Sequence, residues 1–147
     1  MRFALIGNDI DYSLSPKLNS MIYRQLDINC SYSIQNIKLE NIRSIMDMLK
    51  SNHLNGINIT IPYKTTFFDF IDHLDPLSKS TMSVNCINFH EGIVKGYNTD
   101  IYGFENLIRV NNVDMNSKNI LVLGAGGGAK AVCFYLKSCR YNFYIYN

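Results

Sequence analysis

The segment from Ile120 to Asn147 constrains the fold of this chain more than any other. Ile120–Leu123 is entirely apolar, as expected of a strand buried on both faces of a parallel sheet. A glycine-rich turn follows, then a stretch with Ala and Leu that ends near Ser138, then a second apolar run, Phe143–Tyr146. Strand, helix and strand in alternation are typical of α/β proteins. We therefore predict a βαβ unit over this segment.

The turn inside this unit has the pattern G-x-G-x-x-A, formed by Gly124, Gly126 and Ala129. In dinucleotide-binding proteins such a turn lets the backbone approach a pyrophosphate, and the next helix offers free N–H groups at its positive end. A tight turn without a ligand is the alternative, but the position between a buried strand and a helix favours the cofactor. The residues predicted to bind it are Gly124, Ala125, Gly126, Gly127, Gly128, Ala129 and Asn147.

Asn147 lies about 20 residues after the turn, where NAD-binding proteins carry an acidic residue for the ribose 2′-hydroxyl. An amide at this position disfavours NAD, whereas an Arg that contacts the 2′-phosphate of NADP would follow Asn147. The sequence therefore leaves the choice between NADP and NAD open. One βαβ unit cannot complete a doubly wound sheet, so we expect this chain to be a fragment of a longer protein.

Composition and charge exclude several function classes. Hydrophobic residues make up 47% and charged residues 18%, which indicates a globular protein with buried strands. The net charge of +2 and the lack of Lys/Arg runs argue against nucleic-acid binding, and no apolar run approaches the roughly 20 residues that span a bilayer. The four cysteines and three histidines show no metal-ligand spacing. We predict a cytoplasmic protein with reduced, buried thiols and no metal.

The first 110 residues alternate between predicted strands and helices. Alternating or apolar runs predict strands at 3–7, 31–37, 56–62, 84–89 and 93–97. Helical spacing predicts helices at 16–26, 41–49 and 99–110, with pieces of helix between 64 and 77. We therefore predict an α/β fold, with an open mixed sheet and helices on both faces in residues 1–101. Residues 102–147 then form a linker helix and the first βαβ unit of a Rossmann-like domain.

Four short polar segments precede the glycine turn, at predicted strand ends or in the loops beyond them. These segments span residues 13–16, 58–64, 84–85 and 97–100. The carboxyl ends of strands form the ligand crevice in an open α/β sheet. The serines, threonine, asparagines, lysine and aspartate of these segments suit a polyhydroxylated acid, because hydroxyls need paired donors and acceptors and a carboxylate needs donors.

Each polar residue also has a purely structural interpretation. Ser15 before Pro16 suits a helix N-cap, and Thr60 suits a strand because it is β-branched. Lys64 is by default a solvated surface lysine, and Asp100 at the start of a helix is by default a cap or dipole partner. Taken one by one, these structural interpretations are the better ones. The order and spacing of the segments favour a shared functional role.

In order and spacing these segments resemble the shikimate dehydrogenase family. The resemblance rests on S-x-S-P at 13–16, N-x-T-x-P-x-K at 58–64, Val84-Asn85, N-T-D at 98–100 and the glycine turn, and it extends to Asn147. It implies that residues 1–101 bind shikimate and that 102–147 begin a domain that usually binds NADP. Three residues depart from the common family pattern, which has Thr, a small residue and Ala in their places: Cys86, Ile101 and Gly128.

The resemblance also implies a role for each polar residue. Ser13 and Ser15 would hold the substrate carboxylate. Thr60, Asn85 and Asp100 would bind ring hydroxyls, and Lys64, paired with Asp100, would be catalytic.

The implied reaction is the reversible, NADP-dependent reduction of 3-dehydroshikimate to shikimate in aromatic amino-acid biosynthesis. Two alternatives stay open: a quinate/shikimate dehydrogenase that uses NAD, and a fragment that binds the acid without turnover. An unrelated Rossmann protein that shares only the glycine turn ranks lowest, because it leaves the acid-site segments unexplained. The expected partner is a small-molecule substrate, with a homodimer as a further expectation.

Overall fold

A computed structural model describes residues 1–147 as eight strands and five α-helices. The strands are β1 (Arg2–Gly7), β2 (Ser31–Asn36), β3 (Gly56–Ile59), β4 (His73–Leu74), β5 (Cys86–His90), β6 (Ile93–Tyr97), β7 (Ile120–Leu123) and β8 (Phe143–Tyr146). The α-helices are α1 (Ser15–Gln25), α2 (Ile42–Lys50), α3 (Pro76–Thr81), α4 (Asp100–Val110) and α5 (Gly127–Ser138). Short 3₁₀ turns occupy Leu39–Asn41, Tyr63–Thr65 and Phe67–Phe70.

The first six strands form one mixed sheet in the order β2-β1-β3-β5-β6-β4. Strand β1 pairs in parallel with both β2 and β3, whereas β5 runs antiparallel to β3 and β6. The hairpin between β5 and β6 forms at the predicted place, with Glu91 and Gly92 at positive φ in its turn. These pairings confirm the predicted open mixed sheet.

Helices cover both faces of this sheet, but unequally. On one face, Ala4 and Ile6 of β1 belong to a fifteen-residue buried core that includes Ile45 and Leu49 of α2. Phe3 points to the opposite face, because neighbouring strand residues alternate, and its ring lies 6.2 Å from that of Tyr23 in α1. The main core therefore lies between the sheet and α2.

The apolar stripe of α1 is largely exposed. Leu18, Met21, Ile22 and Leu26 retain between 41% and 61% of their accessible surface, and no residue of α1 is buried. The helix nevertheless forms where its spacing predicts. Its other side lies against β2, and the Tyr23 ring packs near Phe3 of β1.

Strands β7 and β8 form a separate two-stranded parallel sheet, joined by α5 as the sequence predicts. A second cluster of Met115, Val122 and Leu136 covers one face, and the ring of Phe104 in α4 packs against it. The expectation that β7 is buried on both faces is wrong for this chain. Leu121 and Leu123 stay 60% and 74% exposed, because both helices lie on the other face.

Several details differ from the sequence-based expectations. Strand β3 ends at Ile59, before the cis Ile61–Pro62 bond, and the segment from 64 to 77 contains a short strand as well as helical turns. The four cysteines are free, but none is fully buried, and Cys139 is exposed. None of the helices combines the length and apolar character that crossing a membrane requires.

Leu49 provides a test of the main core, because its side chain on α2 is completely buried. Leu49→Ala should lower the free energy of unfolding by about 2–5 kcal/mol through lost apolar contacts and a residual cavity. Leu107→Ala on the exposed side of α4 is the matched control and should change it by less than about 0.5 kcal/mol. Urea denaturation followed by circular dichroism measures both, and equal losses would contradict the placement of the core.

Candidate functional site

The site centres on an ion pair between Lys64 and Asp100. Lys64 lies in the 3₁₀ turn after β3, and Asp100 is the first residue of α4. The Nζ atom of Lys64 donates to Oδ2 of Asp100 at 2.6 Å, and the two side chains retain 17% and 27% exposure. The structure thus brings together two residues 36 positions apart in the sequence, as the family resemblance implies. The pair is partly shielded from water but remains accessible to a small molecule.

Asn85 joins this pair through the other carboxylate oxygen. Its Nδ2 donates to Oδ1 of Asp100 at 2.8 Å and to Oγ1 of Thr99 at 2.9 Å. Its own Oδ1 accepts the backbone N–H of Thr99 at 2.8 Å. Both carboxylate oxygens of Asp100 therefore have donors from the protein, which fixes the plane of the carboxylate.

Asn98 holds the backbone of Asp100, a role not predicted from the sequence. The residue is only 1% exposed, and its Oδ1 accepts the backbone N–H of Asp100 at 3.1 Å. Its Nδ2 donates to Oγ1 of Thr81 and to the carbonyl of Ser83, both at 3.0 Å. An Asn side chain often bonds the backbone two residues on, so the N-T-D motif carried a signal for the bond to Asp100 but not for those to Thr81 and Ser83.

Ser13 and Ser15 form a second polar group at the start of α1. The hydroxyl of Ser13 donates to Oγ of Ser15 at 3.1 Å and accepts the backbone N–H of Ser15 at 3.2 Å. The capping interpretation of Ser15 is wrong, because Leu14 is the N-cap residue and Ser15 is the first residue of the helix. The structure pairs the two serines with each other, without a hydrogen bond to Lys64 or Asp100.

Thr60 lies beside the end of β1, where the loop that carries the two serines begins. Its backbone N–H donates to the carbonyl of Ile6 at 2.9 Å, and Asn8 donates to the carbonyl of Ile61 at 3.1 Å. A Cβ atom added to Gly7 would lie 2.9 Å from the Thr60 methyl group, so this close approach requires a glycine. Thr60 is thereby fixed next to the serine loop.

Asn58 and Tyr32 extend the polar network beneath Asn85. The hydroxyl of Tyr32 donates to Oδ1 of Asn58 at 2.8 Å, and Nδ2 of Asn58 donates to the carbonyl of Asn85 at 3.3 Å. Burial, together with nearby Tyr23 and Cys86, raises the pKa of Tyr32 to about 12. The Tyr32 hydroxyl therefore keeps its proton at neutral pH and acts as a stable donor.

Cys86 lies directly after Asn85 but is unsuited to nucleophilic chemistry. Burial raises the pKa of its thiol above the usual value, so the unreactive protonated form dominates at neutral pH. His53, His73 and His90 are exposed. Among the side chains near Asn85, Lys64 and Asp100 are thus the groups equipped for proton transfer.

The glycine turn lies directly against this site. Gly127, the first residue of α5, approaches Lys64 so closely that an added Cβ would lie 2.7 Å from the lysine Cβ. Gly124 has φ of +102°, a conformation that favours glycine, and its N–H donates to the carbonyl of Tyr146 at 2.7 Å. Asn147 follows Tyr146, so the carboxyl ends of both β7 and β8 meet at the turn.

Comparison with known proteins identifies relatives of this arrangement. Residues 5–87 match a family model described as the shikimate dehydrogenase substrate binding domain. The chain is 37% identical over 130 residues to a shikimate dehydrogenase (NADP(+)) of Nitrosopumilus maritimus, in a match that covers 88% of this chain and 48% of that protein. The chain spans about half the length of the curated relatives it matches.

Solved structures agree with this similarity. A crystal structure of shikimate dehydrogenase 1 from Peptoclostridium difficile superposes with a TM-score of 0.92 at 29% identity, over 98% of this chain and 54% of that one. A shikimate 5-dehydrogenase from Thermus thermophilus, in complex with NADP(H) and shikimate, superposes with a TM-score of 0.90 at 27% identity. That match covers 99% of this chain and 55% of that one.

Asn98 gives a test of how the site is held together. Asn98→Ala removes three hydrogen bonds of a buried side chain, each worth about 0.5–1.5 kcal/mol, and leaves the backbone N–H of Asp100 without its acceptor. We expect the free energy of unfolding to fall by at least about 2 kcal/mol. Asn106→Ala, which removes an exposed amide from α4, should change it by less than about 0.5 kcal/mol. Urea titration of both variants decides, and an equal effect would show that Asn98 does not hold the site.

Proposed function

Because this chain belongs to the shikimate dehydrogenase family, we propose that the protein carrying it reduces 3-dehydroshikimate to shikimate, reversibly and with NADP as cofactor. We further propose that residues 1–101 form the substrate-binding and catalytic domain. Residues 102–147 would provide the linker helix and the start of the cofactor domain. The reaction belongs, in this proposal, to aromatic amino-acid biosynthesis in the cytoplasm.

The single observation that carries this proposal is the position of the Lys64–Asp100 pair beside the glycine turn. A dehydrogenase must hold the carbon that exchanges a hydride close to a group that manages the proton on oxygen. The stem of Lys64 packs against the Gly127 backbone, and its ammonium is bound to Asp100. A proton donor therefore lies next to the turn that would hold the cofactor.

The remaining polar residues supply the groups that a polyhydroxylated acid needs. In our proposal, Ser13 and Ser15 donate hydroxyl hydrogen bonds to the carboxylate of the acid. Thr60, Asn85 and Asp100 bind the ring hydroxyls, since each offers an oxygen or amide group. Thr60 and Asp100 follow the carboxyl ends of β3 and β6, and Asn85 precedes the antiparallel strand β5. The shikimate-bound relative from Thermus thermophilus, which has the same fold, supports this class of ligand.

The glycine turn fits a dinucleotide pyrophosphate. The positive φ of Gly124 permits the tight turn, and a Cβ added at Gly126 or Gly128 would meet no atom within 4 Å. The turn is therefore open on the side away from Lys64, so phosphates can approach the backbone and the N-terminus of α5. The residues proposed to hold NADP are Gly124, Ala125, Gly126, Gly127, Gly128, Ala129 and Asn147.

Lys64 and Asp100 would manage the proton in the reaction. When bound, the reduced nicotinamide supplies the hydride to the carbonyl carbon. The Lys64 ammonium donates one N–H to Asp100 and has two further protons available to the carbonyl oxygen. As negative charge develops on that oxygen, Lys64 transfers a proton to it and the hydroxyl forms. Asp100 holds the amine in position, and Asn85 fixes the carboxylate.

The two alternatives from the sequence differ in measurable ways. A quinate/shikimate dehydrogenase would oxidise both acids and prefer NAD, so assays of both acids with both cofactors distinguish the enzymes. A chain that only binds the acid would release heat with shikimate in calorimetry but give no change at the reduced-nicotinamide absorbance band. We expect binding without turnover for residues 1–147 alone, because one βαβ unit offers only part of a cofactor site. A homodimer stays a prediction.

Lys64→Ala in the full-length protein tests the catalytic assignment. The change removes the proton donor, so kcat should fall at least about 10²-fold, the lower range for general acid–base catalysis, while KM changes less. Steady-state oxidation of shikimate with NADP measures both constants. Lys79→Ala, an exposed Lys to Ala change on α3, is the matched control. Turnover near the wild-type rate in Lys64→Ala would reject the assignment.

Ser13→Ala and Ser15→Ala test the carboxylate site in the same assay. Each change removes a hydrogen bond to a charged group, worth about 1.5–3 kcal/mol, so KM for shikimate should rise about 10-fold or more. The control is Ser20→Ala, which removes an exposed hydroxyl from the same helix. If both variants keep the wild-type KM, the carboxylate binds elsewhere.

A further inference from the structure

We propose that Gly127 is a positioning residue for Lys64, in addition to its place in the cofactor turn. The absent side chain at this glycine leaves the space that the lysine stem and the Ser83 hydroxyl occupy. The proposal rests on the catalytic role proposed above for Lys64. In this proposal, one glycine of the cofactor turn also positions the side chain that acts on the substrate.

The geometry around Gly127 differs from that of its neighbours in the turn. A Cβ added to Gly127 would lie 2.7 Å from Lys64 Cβ, 3.1 Å from Lys64 Cδ and 2.8 Å from Ser83 Oγ. Real Cβ atoms essentially never approach other atoms within 3.0 Å. Because the Cβ of Lys64 is fixed to its backbone, the lysine cannot relieve this contact by rotating its flexible end. Gly124, Gly126 and Gly128 meet no atom within 4 Å.

Backbone conformation does not explain the glycine at this position. The φ angle of Gly127 lies outside the left-handed region, in contrast to Gly124 at +102°. Gly127 is also the first residue of α5, and alanine favours a helix more than glycine does. On conformational grounds alone, alanine would be the better residue. The space against Lys64 and Ser83 is therefore the physical reason for glycine.

Lys64 is held at three places: its backbone carbonyl, its side-chain stem and its ammonium group. The carbonyl of Lys64 accepts the N–H of Val84 at 2.7 Å, and its ammonium is held by Asp100 at 2.6 Å. Gly127 packs against the stem between these two points, and its carbonyl accepts the Ser83 hydroxyl at 3.5 Å. A lysine side chain has many rotamers. Packing of the Gly127 backbone along its stem therefore reduces the number of positions that the ammonium can take.

Selective labelling of Lys64 tests the proposal independently of catalysis. In Gly127→Ala, the displaced stem should weaken the bond to Asp100, and an amine-acylating reagent should modify Lys64 several-fold faster than in the wild-type chain. Mass spectrometry of peptides measures the rate at each lysine, with exposed Lys17 as the internal reference. Gly103→Ala is the matched control, because a Cβ there meets no atom within 4 Å. An unchanged Lys64 rate in folded Gly127→Ala overturns the proposal.

Kinetics of the full-length protein separate this role from cofactor binding. We expect kcat of Gly127→Ala to fall by about 10-fold or more, since small misplacements of reacting groups are costly, with little change in KM for NADP. A raised KM for NADP with unchanged kcat overturns the proposal, because Gly127 would then serve the cofactor alone. If the wild-type protein has no dehydrogenase activity, the proposed function fails while the labelling result still decides the contact.

A second variant keeps the test decisive if Gly127→Ala does not fold. Lys64→Gly together with Ser83→Ala removes all three atoms that the new Cβ would meet. The triple variant Gly127→Ala/Lys64→Gly/Ser83→Ala should then regain the circular dichroism spectrum of the folded chain. A triple variant that stays unfolded, beside a folded Lys64→Gly/Ser83→Ala double variant, overturns the proposed contact.

Discussion

The ion pair between Lys64 and Asp100 is the interaction on which the rest of the site depends. It joins the end of β3 to the beginning of α4, so it ties the mixed sheet to the helix that leads into the second sheet. A charge that is partly removed from water is stable only with a partner and further hydrogen bonds. Asn85 and Asn98 supply those bonds to Asp100, at its side chain and its backbone respectively. The network thus explains why so many polar residues are close together here.

The contact between Gly127 and Lys64 connects the two halves of the chain at the same place. Strands β7 and β8 share no sheet with β1 to β6, and their apolar residues belong to a separate cluster. Helix α5 nevertheless contacts both α3 and α4. As a result, the start of α5 and its glycine turn face the ion pair. The position of the glycine turn relative to the ion pair is therefore set by direct packing.

Local sequence patterns predicted most of the fold. The strand predicted from the apolar run of β1, the helix predicted from the apolar spacing of α2 and the βαβ unit around Gly124 all appear in the structure, since each depends on residues close together in the sequence. The pairing of Lys64 with Asp100 was available only from the resemblance to a family, because no local pattern links positions 36 apart. The placement of Thr60, Ser13 and Ser15 around a common ligand stays a prediction.

Some features could not be predicted from local patterns. The hydrogen bonds of Asn98 depend on Thr81 and Ser83, which reach it only after the sheet and α3 have formed. The prediction that β7 is buried on both faces was wrong. An apolar sequence indicates that a strand favours burial, but the number of helices that cover the strand depends on the whole fold. The exposed stripe of α1 has the same origin. Its spacing predicts a helix but carries no information on what lies above it.

The uncovered face of the β7–β8 sheet has a consequence for handling this polypeptide. Leu121, Leu123, Tyr144 and Tyr146 are all largely exposed on two short strands whose outer edges have no neighbour. Apolar strands with free edges pair readily with other copies, which makes them sites of aggregation. Residues 1–147 by themselves should therefore self-associate as their concentration rises, and dilute solutions will preserve the monomer best.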